Sequence, residues 1–132
     1  DENYSDRKHG ARLGIFSNKV ADNVSPYSKP QECGNKTDVR WFTVSNSTGN
    51  GLKISAKSTV EFSALPYTSH ELENASHHYD LPNIHNTVLT INKVQMGVGG
   101  DDSWGAPTHS EYLIPSDKPL EFEFCIEAFN IV

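Results

Sequence analysis

Two segments of the chain combine a tryptophan with carboxylates and glycines, the residue types from which a sugar-binding site can be built. One is residues 96–105 (MGVGGDDSWG), and the other is residues 25–41, which also end in a tryptophan. An indole face packs well on the apolar C–H side of a pyranose ring, and a neighbouring carboxylate accepts hydrogen bonds from its hydroxyls. The candidate substrate-binding residues are therefore Trp104, Asp101 and Asp102.

The same composition also fits a tight turn that binds nothing. Glycines at positions 97, 99, 100 and 105 let the backbone bend, and aspartate side chains commonly cap backbone N–H groups in such turns. In that case Trp104 is a buried anchor and not a sugar platform. Composition alone leaves both interpretations open.

Histidine and cysteine, the other side chains that could carry chemistry, form no recognisable motif. Two of the six histidines, His77 and His78, are sequence neighbours and point in different directions on any regular element, which does not suit a zinc site. We therefore expect surface or loop histidines, with no metal and no cofactor in this chain. Cys33 and Cys125 match no zinc spacing, and we expect two free thiols.

An antiparallel β-sheet must position these segments, because apolar and polar residues alternate through much of the chain. The alternation is clearest near the end, where Phe122, Phe124 and Ile126 share one face. The pattern predicts half-buried strands at residues 38–45, 52–56, 60–64, 88–93 and 121–127. Between the first two, residues 46–51 (NSTGNG) predict a hairpin loop.

One stretch predicts a helix. Thr68 and Glu71 have the spacing of a capping box, and Leu72 and Ala75 follow three residues apart. Proline disfavours helix at the residue before it, so Pro82 ends the helix by about residue 81. We therefore predict an all-β fold with at most one short helix of two or three turns.

Length and charge limit the class of protein. The 132 residues contain no internal repeat or linker, so residues 1–132 are predicted to be a single domain. Seventeen acidic residues against 11 basic ones argue against a nucleic-acid partner or an anionic membrane. No apolar run of 18 residues occurs, which favours a soluble chain. Residue 1 is Asp and the only methionine is Met96, so we expect a piece of a longer protein.

Three ordered motifs resemble the C-terminal part of the large bacterial β-galactosidases of glycoside hydrolase family 2. They are residues 2–7 (ENYSDR), residues 26–41, which include PY and PQECGNKTDVRW, and residues 97–105 (GVGGDDSWG). The resemblance covers about residues 2–126, and it departs at Cys33, where the family usually has Asn. It implies the C-terminal portion of domain 5, the small-chain region, which is an antiparallel β-sandwich within a galactose-mutarotase-like supersandwich.

The resemblance also implies roles for the candidate residues. In that family the tryptophan of this motif forms one wall of the outer substrate site, where it stacks on the disaccharide or the acceptor sugar, and Trp104 matches it. Asp101 and Asp102 are then expected chiefly to hold the loop in shape. We expect Glu32, Asp38 and Arg40 to support the segment of residues 25–41, with Arg40 paired to either Glu32 or Asp38.

The resemblance further implies that this chain is not catalytic by itself. A retaining glycosidase needs two carboxylates about 5–5.5 Å apart, and in the family both belong to a barrel domain that needs about 200 residues or more. We expect a non-catalytic part of a β-galactosidase whose partners are the remaining domains, the barrel above all, and a galactoside or acceptor sugar. The family often uses Mg and Na in its other domains, and its bacterial source implies the cytoplasm or the periplasm.

Two other functions fit the sequence. The chain could act alone as a carbohydrate-binding module through the same tryptophan, or as a mutarotase-like module, which needs a His and a Glu that converge on one face of a sheet. If the family's domain is about twice this length, the chain also lacks sheet partners. It should then expose an apolar face or a strand edge and associate weakly with itself.

Overall fold

A computed structural model describes residues 2–8 and 12–130. In this part of the chain, four antiparallel strands form one sheet. The strands are β1 (Lys36–Ser45), β2 (Asn50–Leu65), β3 (Val88–Asn92) and β4 (Phe124–Asn130). Strand β1 pairs with β2 along one edge, and β3 and β4 pair with different halves of the opposite edge. The predicted all-β, antiparallel class is confirmed.

Strand β2 is the centre of the sheet and joins two predicted strands into one. It is 16 residues long and includes both residues 52–56 and residues 60–64. Its pairing with β1 shifts between Val39↔Val60 and Trp41↔Ser55, so residues 56–59 of β2 form a bulge. This polar bulge interrupts the alternation, which explains why the sequence pattern predicts two strands.

The turn between β1 and β2 agrees with the predicted hairpin loop. The Asn46 side chain accepts hydrogen bonds from the backbone amides of Thr48 at 3.0 Å and Asn50 at 3.1 Å. Gly49 has a φ of 84°, which glycine adopts without strain. The turn chemistry of the sequence therefore sets the register of this hairpin.

Helix α1 (Ser69–Asn74) begins at the predicted capping box but is shorter than predicted. The Thr68 side chain accepts from the Glu71 amide at 3.1 Å, and Glu71 accepts from the Thr68 amide at 2.7 Å. The helix ends before Ala75, and the Asp80 side chain caps a separate 3-10 turn at His78–Asp80. These local side-chain hydrogen bonds compete with continuation of the helix to residue 81.

The core lies at the end of the sheet nearest α1 and extends along β2. Leu72 of α1 packs against Cys33 and Leu65. Further along the sheet, the rings of Phe42 and Phe62 stack with centroids 3.8 Å apart. Both cysteines are free thiols, as predicted.

The prediction of a half-buried final strand is wrong. Ile126 pairs with the fully buried Ile54, yet Ile126 itself is 55% exposed and Phe124 is 36% exposed. Leu52, on the same face, is also exposed. The alternation of residues 121–127 does form an apolar face, but no element of the described chain covers this end of it.

Candidate functional site

The candidate site is centred on residues 97–105, called the Trp104 loop below, which lies between β3 and the 3-10 turn at Ser110–Tyr112. Three of its glycines have φ between 66° and 85°, a region in which other residues are strained. The Trp104 side chain is 93% exposed. The alternative of a buried anchor is therefore wrong for Trp104.

Asp102 fixes the backbone that carries the indole. One of its carboxylate oxygens accepts hydrogen bonds from the backbone amides of Trp104 at 2.8 Å and Ala106 at 3.1 Å. The base of the loop is closed by Gly97, whose amide donates to Tyr112 O at 3.0 Å and whose carbonyl accepts from the Thr108 hydroxyl at 2.7 Å. The exposed indole thus projects from an ordered turn.

Residues near the start of the chain hold the other side of the loop. In the turn Tyr4–Arg7, the two carboxylate oxygens of Asp6 accept from the amides of Val98 at 3.0 Å and Gly99 at 2.8 Å. Arg7 donates to the Gly99 carbonyl and, at 3.2 Å, to Asp101. The sequence did not single out Asp6 or Arg7 as site residues, and the only signal for them was their place in the ENYSDR motif.

Asp101 lies at the centre of a charged chain of contacts. It accepts from Arg7 on one side and from His109 on the other. All three side chains are partly exposed, so each contact by itself is weak. Together they join the turn Tyr4–Arg7 and the middle of the loop to the segment that follows the loop.

These contacts set the charge states of the site. The hydrogen bond from His109, and then that from Arg7, lowers the pKa of Asp101, and the same contact with Asp101 raises the pKa of His109. Burial alone would raise the pKa of Asp6, but the hydrogen bonds from two loop amides lower it below its ordinary value. The carboxylates of Asp6 and Asp101 are therefore held in their ionised form.

Residues 2–8 also connect the Trp104 loop to the other candidate segment. The Asn3 amide donates to the Asn35 carbonyl at 2.7 Å, and the Asn35 side chain donates back to Asn3 O at 2.9 Å. Lys8 pairs with Asp38 at 2.5 Å. The structure thus brings the three motifs of the resemblance together, with residues 2–8 between the other two.

Glu2 makes a further link between residues 2–8 and residues 25–41. It accepts hydrogen bonds from the Gly34 amide at 2.8 Å, from the Tyr4 hydroxyl at 3.1 Å and from the Tyr27 hydroxyl. Burial alone would raise the pKa of Glu2, but these hydrogen bonds lower it, while the contact with Glu2 raises the pKa of Tyr27 to about 12. Glu2 is an anchor of this region that the sequence did not single out.

The supporting residues predicted for the first segment do not form the predicted pair. Asp38 pairs with Lys8, and Arg40 lies exposed on β1. Asp38 has a φ of 58°, and the register shifts on both sides of Val39 break the regular alternation here. Glu32 lies elsewhere, beside α1. The backbone irregularity, which composition does not reveal, is the reason for the difference.

The histidines outside the loop lie mainly on the surface. His77 stacks on Tyr79 with ring centroids 4.8 Å apart, and His78 contacts the Tyr27 carbonyl at 2.7 Å. His9 lies outside the described residues. Among residues 2–8 and 12–130, no three His, Cys, Asp or Glu side chains are grouped so that they could hold a metal ion. In the same part of the chain, no helix is long and apolar enough to cross a membrane.

A family model described as the β-galactosidase small chain matches residues 1–126. The chain belongs to the β-galactosidase small-chain family. The three motifs of the sequence and the contacts that join them all lie within the matched residues. Membership in the small-chain family confirms the resemblance to β-galactosidases.

Relatives of known name agree with the small-chain family. The chain is 52% identical over 127 residues to a β-galactosidase of Halalkalibacterium halodurans and 44% identical over 131 residues to one of Streptococcus thermophilus. It covers 12% and 13% of these two relatives, and they cover 96% and 98% of the chain. A β-galactosidase small subunit of Latilactobacillus sakei is 37% identical over 93% of the chain, which spans 42% of that subunit. The chain thus spans only part of each relative.

Proposed function

We propose that the chain is the C-terminal, non-catalytic portion of domain 5 of a family 2 bacterial β-galactosidase, and that Trp104 forms one wall of its outer substrate site. The parent enzyme would hydrolyse terminal β-D-galactosides with retention, through two carboxylates of its barrel domain. The observation that carries the proposal is the 93% exposure of Trp104 on a loop whose backbone is fixed by Asp102. An aromatic side chain held outward in this way offers a large contact area at little cost in entropy.

The charge states of Asp6 and Asp101 argue against a general-acid role for either carboxylate. The general acid of a glycoside hydrolase needs a carboxyl group whose pKa is raised. The pKa values of Asp6 and Asp101 are lowered instead. Burial raises the pKa of Glu61, but this side chain is enclosed in the sheet and bonded to Asn35 at 2.9 Å, out of reach of a sugar.

Substitution of Trp104 in the full-length enzyme tests the proposal. Trp104→Ala should lower kcat/KM for a β-galactosyl disaccharide and reduce transfer to acceptor sugars, because the stacking surface is lost. Aromatic stacking of this kind is worth about 1–3 kcal/mol, which corresponds to roughly a five- to 150-fold change. Galactosyl fluoride, whose leaving group is one atom, should be hydrolysed almost as well as by the unchanged enzyme.

Two controls make this result specific. Tyr79→Ala removes another highly exposed aromatic side chain and should leave disaccharide kinetics unchanged. Trp104→Phe should restore part of the lost affinity, because a smaller aromatic face remains. Unchanged disaccharide kinetics in Trp104→Ala would remove Trp104 from the substrate site.

The non-catalytic role has its own test. Asp101→Asn and Asp102→Asn in the full-length enzyme should retain most of their activity toward galactosyl fluoride, because neither carboxylate acts on the glycosidic bond. A loss of more than about a thousand-fold, the scale typical of a removed catalytic group, would contradict this role. Galactose binding by the separated chain, abolished by Trp104→Ala, would favour a stand-alone carbohydrate-binding module.

A further inference from the structure

We propose that the turn Tyr4–Arg7 is the positioning element of the Trp104 loop, and that Asp6 and Arg7 are positioning residues for the outer sugar. The inference rests on the proposed function, because it assigns these residues an effect on the sugar only through Trp104. Three hydrogen bonds and one ion pair join Asp6 and Arg7 to the Trp104 loop, between residues that lie 92 to 94 positions apart in the chain.

Asp6 fixes the entry to the loop. Its two oxygens accept from two successive backbone amides, those of Val98 and Gly99, so the carboxylate bridges them and sets the direction of the chain. A Cβ atom on Gly97 would lie 2.6 Å from Asp6 Oδ2, which is too close. The absence of a side chain at Gly97 therefore lets the carboxylate approach the loop.

Arg7 fixes the middle of the loop and links it to the segment that follows. Its guanidinium donates to the Gly99 carbonyl and to Asp101, and Asp101 accepts from His109. Both of these acceptors are bonded to the same terminal nitrogen, Nη2, while Nη1 donates to the Asp6 carbonyl at 2.8 Å. The planar guanidinium thus meets three acceptors at once, which a lysine ammonium does less well. The loop is thus held from outside at its entry and its middle, while Asp102 orders the turn that carries Trp104.

The contacts leave the indole itself free. Trp104 is 93% exposed, and its backbone amide is bonded within the loop to Asp102. Asp6 and Arg7 therefore determine where the indole is placed without covering the face that would meet a sugar. A residue that acts in this way cannot affect the outer sugar more than removal of Trp104 does.

A double-mutant cycle in the full-length enzyme tests the inference. Asp6→Asn keeps the shape of the side chain but replaces one acceptor oxygen with an N–H₂ group that faces a backbone amide. We expect it to lower kcat/KM for a β-galactosyl disaccharide by at least about fivefold, and by no more than Trp104→Ala does, since the stacking term spans about that range. Hydrolysis of galactosyl fluoride should remain nearly unchanged, which also shows that the enzyme is folded.

The decisive comparison is made in the Trp104→Ala background. If Asp6 acts through the indole, Asp6→Asn does not lower kcat/KM for the disaccharide any further in the enzyme that already carries Trp104→Ala. A general effect on folding or chemistry would instead lower kcat/KM by the same factor with and without Trp104. Arg7→Lys, a milder change, should show the same selectivity with a smaller fall. Asp22→Asn, which alters an aspartate that caps a turn elsewhere, is the matched control and should have no effect.

The outcomes separate this inference from the proposed function. If Trp104→Ala leaves the disaccharide kinetics unchanged, the proposed function fails and the positioning role fails with it. If Trp104→Ala lowers kcat/KM but Asp6→Asn and Arg7→Lys do not, only the positioning role is overturned. An equal loss from Asp6→Asn with and without Trp104 would also overturn it.

Discussion

Gly97 illustrates how single residues determine the form of the Trp104 loop. The position is buried, and an added Cβ would meet the Asp6 carboxylate at 2.6 Å and the Thr108 methyl group at 2.8 Å. Both neighbours are held by their own hydrogen bonds to the loop, so neither can move without breaking a contact. The loop therefore needs a glycine at position 97 as much as it needs the Asp6 carboxylate, which occupies the space that a side chain would fill.

We expect Gly97→Ala to displace Asp6 and to loosen the loop. The amides of Val98 and Gly99 should then exchange with solvent faster, because their acceptor has moved away. Hydrogen exchange of these two amides measures the effect. Gly14→Ala, at an exposed position where the nearest atoms belong to the flexible Phe16 ring, is the control and should leave their exchange unchanged. Equal exchange in both variants would contradict the expected role of Gly97.

The contact between Asp101 and His109 should make binding of the outer sugar depend on pH. The charged Asp101–His109 pair is complete above the ordinary pKa of 3.8 for Asp101 and below the ordinary 6.5 for His109. It is lost as the pH rises through the raised pKa of His109. Glu111 also favours the imidazolium, and Arg7 opposes it. The KM for a disaccharide should therefore rise as the pH passes through this value.

His109→Gln provides the control for that pH dependence. The variant cannot form the charged pair, so the step in disaccharide KM should disappear while the other features of the pH profile remain. NMR titration of the His109 ring should place its pKa above 6.5. A titration at or below this value, or an unchanged step in His109→Gln, would contradict the prediction.

Local composition was enough to select Trp104 and its flanking carboxylates as candidates, but it could not decide between a buried and an exposed indole. It also could not find Asp6, because the hydrogen bonds that this carboxylate accepts from the loop amides span 92 and 93 positions. Spacing predicts contacts only within an element, where the backbone period is known. The resemblance drew attention to the motif that contains Asp6 without saying what this residue contacts.

Among the secondary-structure elements, helix α1 depends both on its N-terminal capping box and on a contact with residues distant in sequence. A helix of six residues is too short to be stable by itself. Its capping box supplies two hydrogen bonds at the N-terminus, and the buried Leu72 anchors it on Cys33 and Leu65. Both contributions are needed to keep the helix against the sheet.

We expect Thr68→Ala to lower the free energy of unfolding by about 1 kcal/mol, the usual cost of a lost N-cap. The Thr68 hydroxyl accepts from the Glu71 amide, and alanine offers no acceptor. Denaturant unfolding followed by circular dichroism measures the change. Ser76→Ala, at an exposed position outside the helix, should change stability by less than half as much. The same stability in Thr68→Ala and the unchanged protein would contradict this account of the cap.

The strands were easier to predict than their irregularities. Alternation predicted β1 and the two segments that make up β2, and the glycine-rich turn predicted their hairpin. The bulge at residues 56–59 and the positive φ of Asp38 depend on how two strands fit together, which a single-strand pattern does not contain. The false expectation for Arg40 follows from this, because a regular strand was assumed where the backbone is irregular.

At the scale of the whole molecule, the most notable feature is the apolar face at the end of the sheet formed by β1, β2 and β4. Leu52, Phe122, Phe124 and Ile126 are all exposed there. The rings of Phe122 and Phe124 lie 5.7 Å apart, so the exposed surface is continuous at this edge. An apolar surface of this kind favours association with another protein surface.

The separated chain should therefore associate weakly with itself at high concentration. Ile126→Lys should reduce the association, because a charge in the middle of the face is costly to bury. Light scattering over a range of concentrations measures the effect, and Lys53→Ala, on the opposite face of β2, is the control. A strict monomer at millimolar concentration would contradict the prediction.

We propose that Trp104 contacts the outer sugar of a β-galactoside in the full-length enzyme. The most direct measurement is a crystal structure of the full-length enzyme, inactivated in its barrel, with a β-galactosyl disaccharide bound. We expect carbon atoms of the outer sugar within about 4 Å of the Trp104 indole face, the distance of apolar contact. A fully occupied disaccharide whose outer sugar lies away from Trp104 would contradict it.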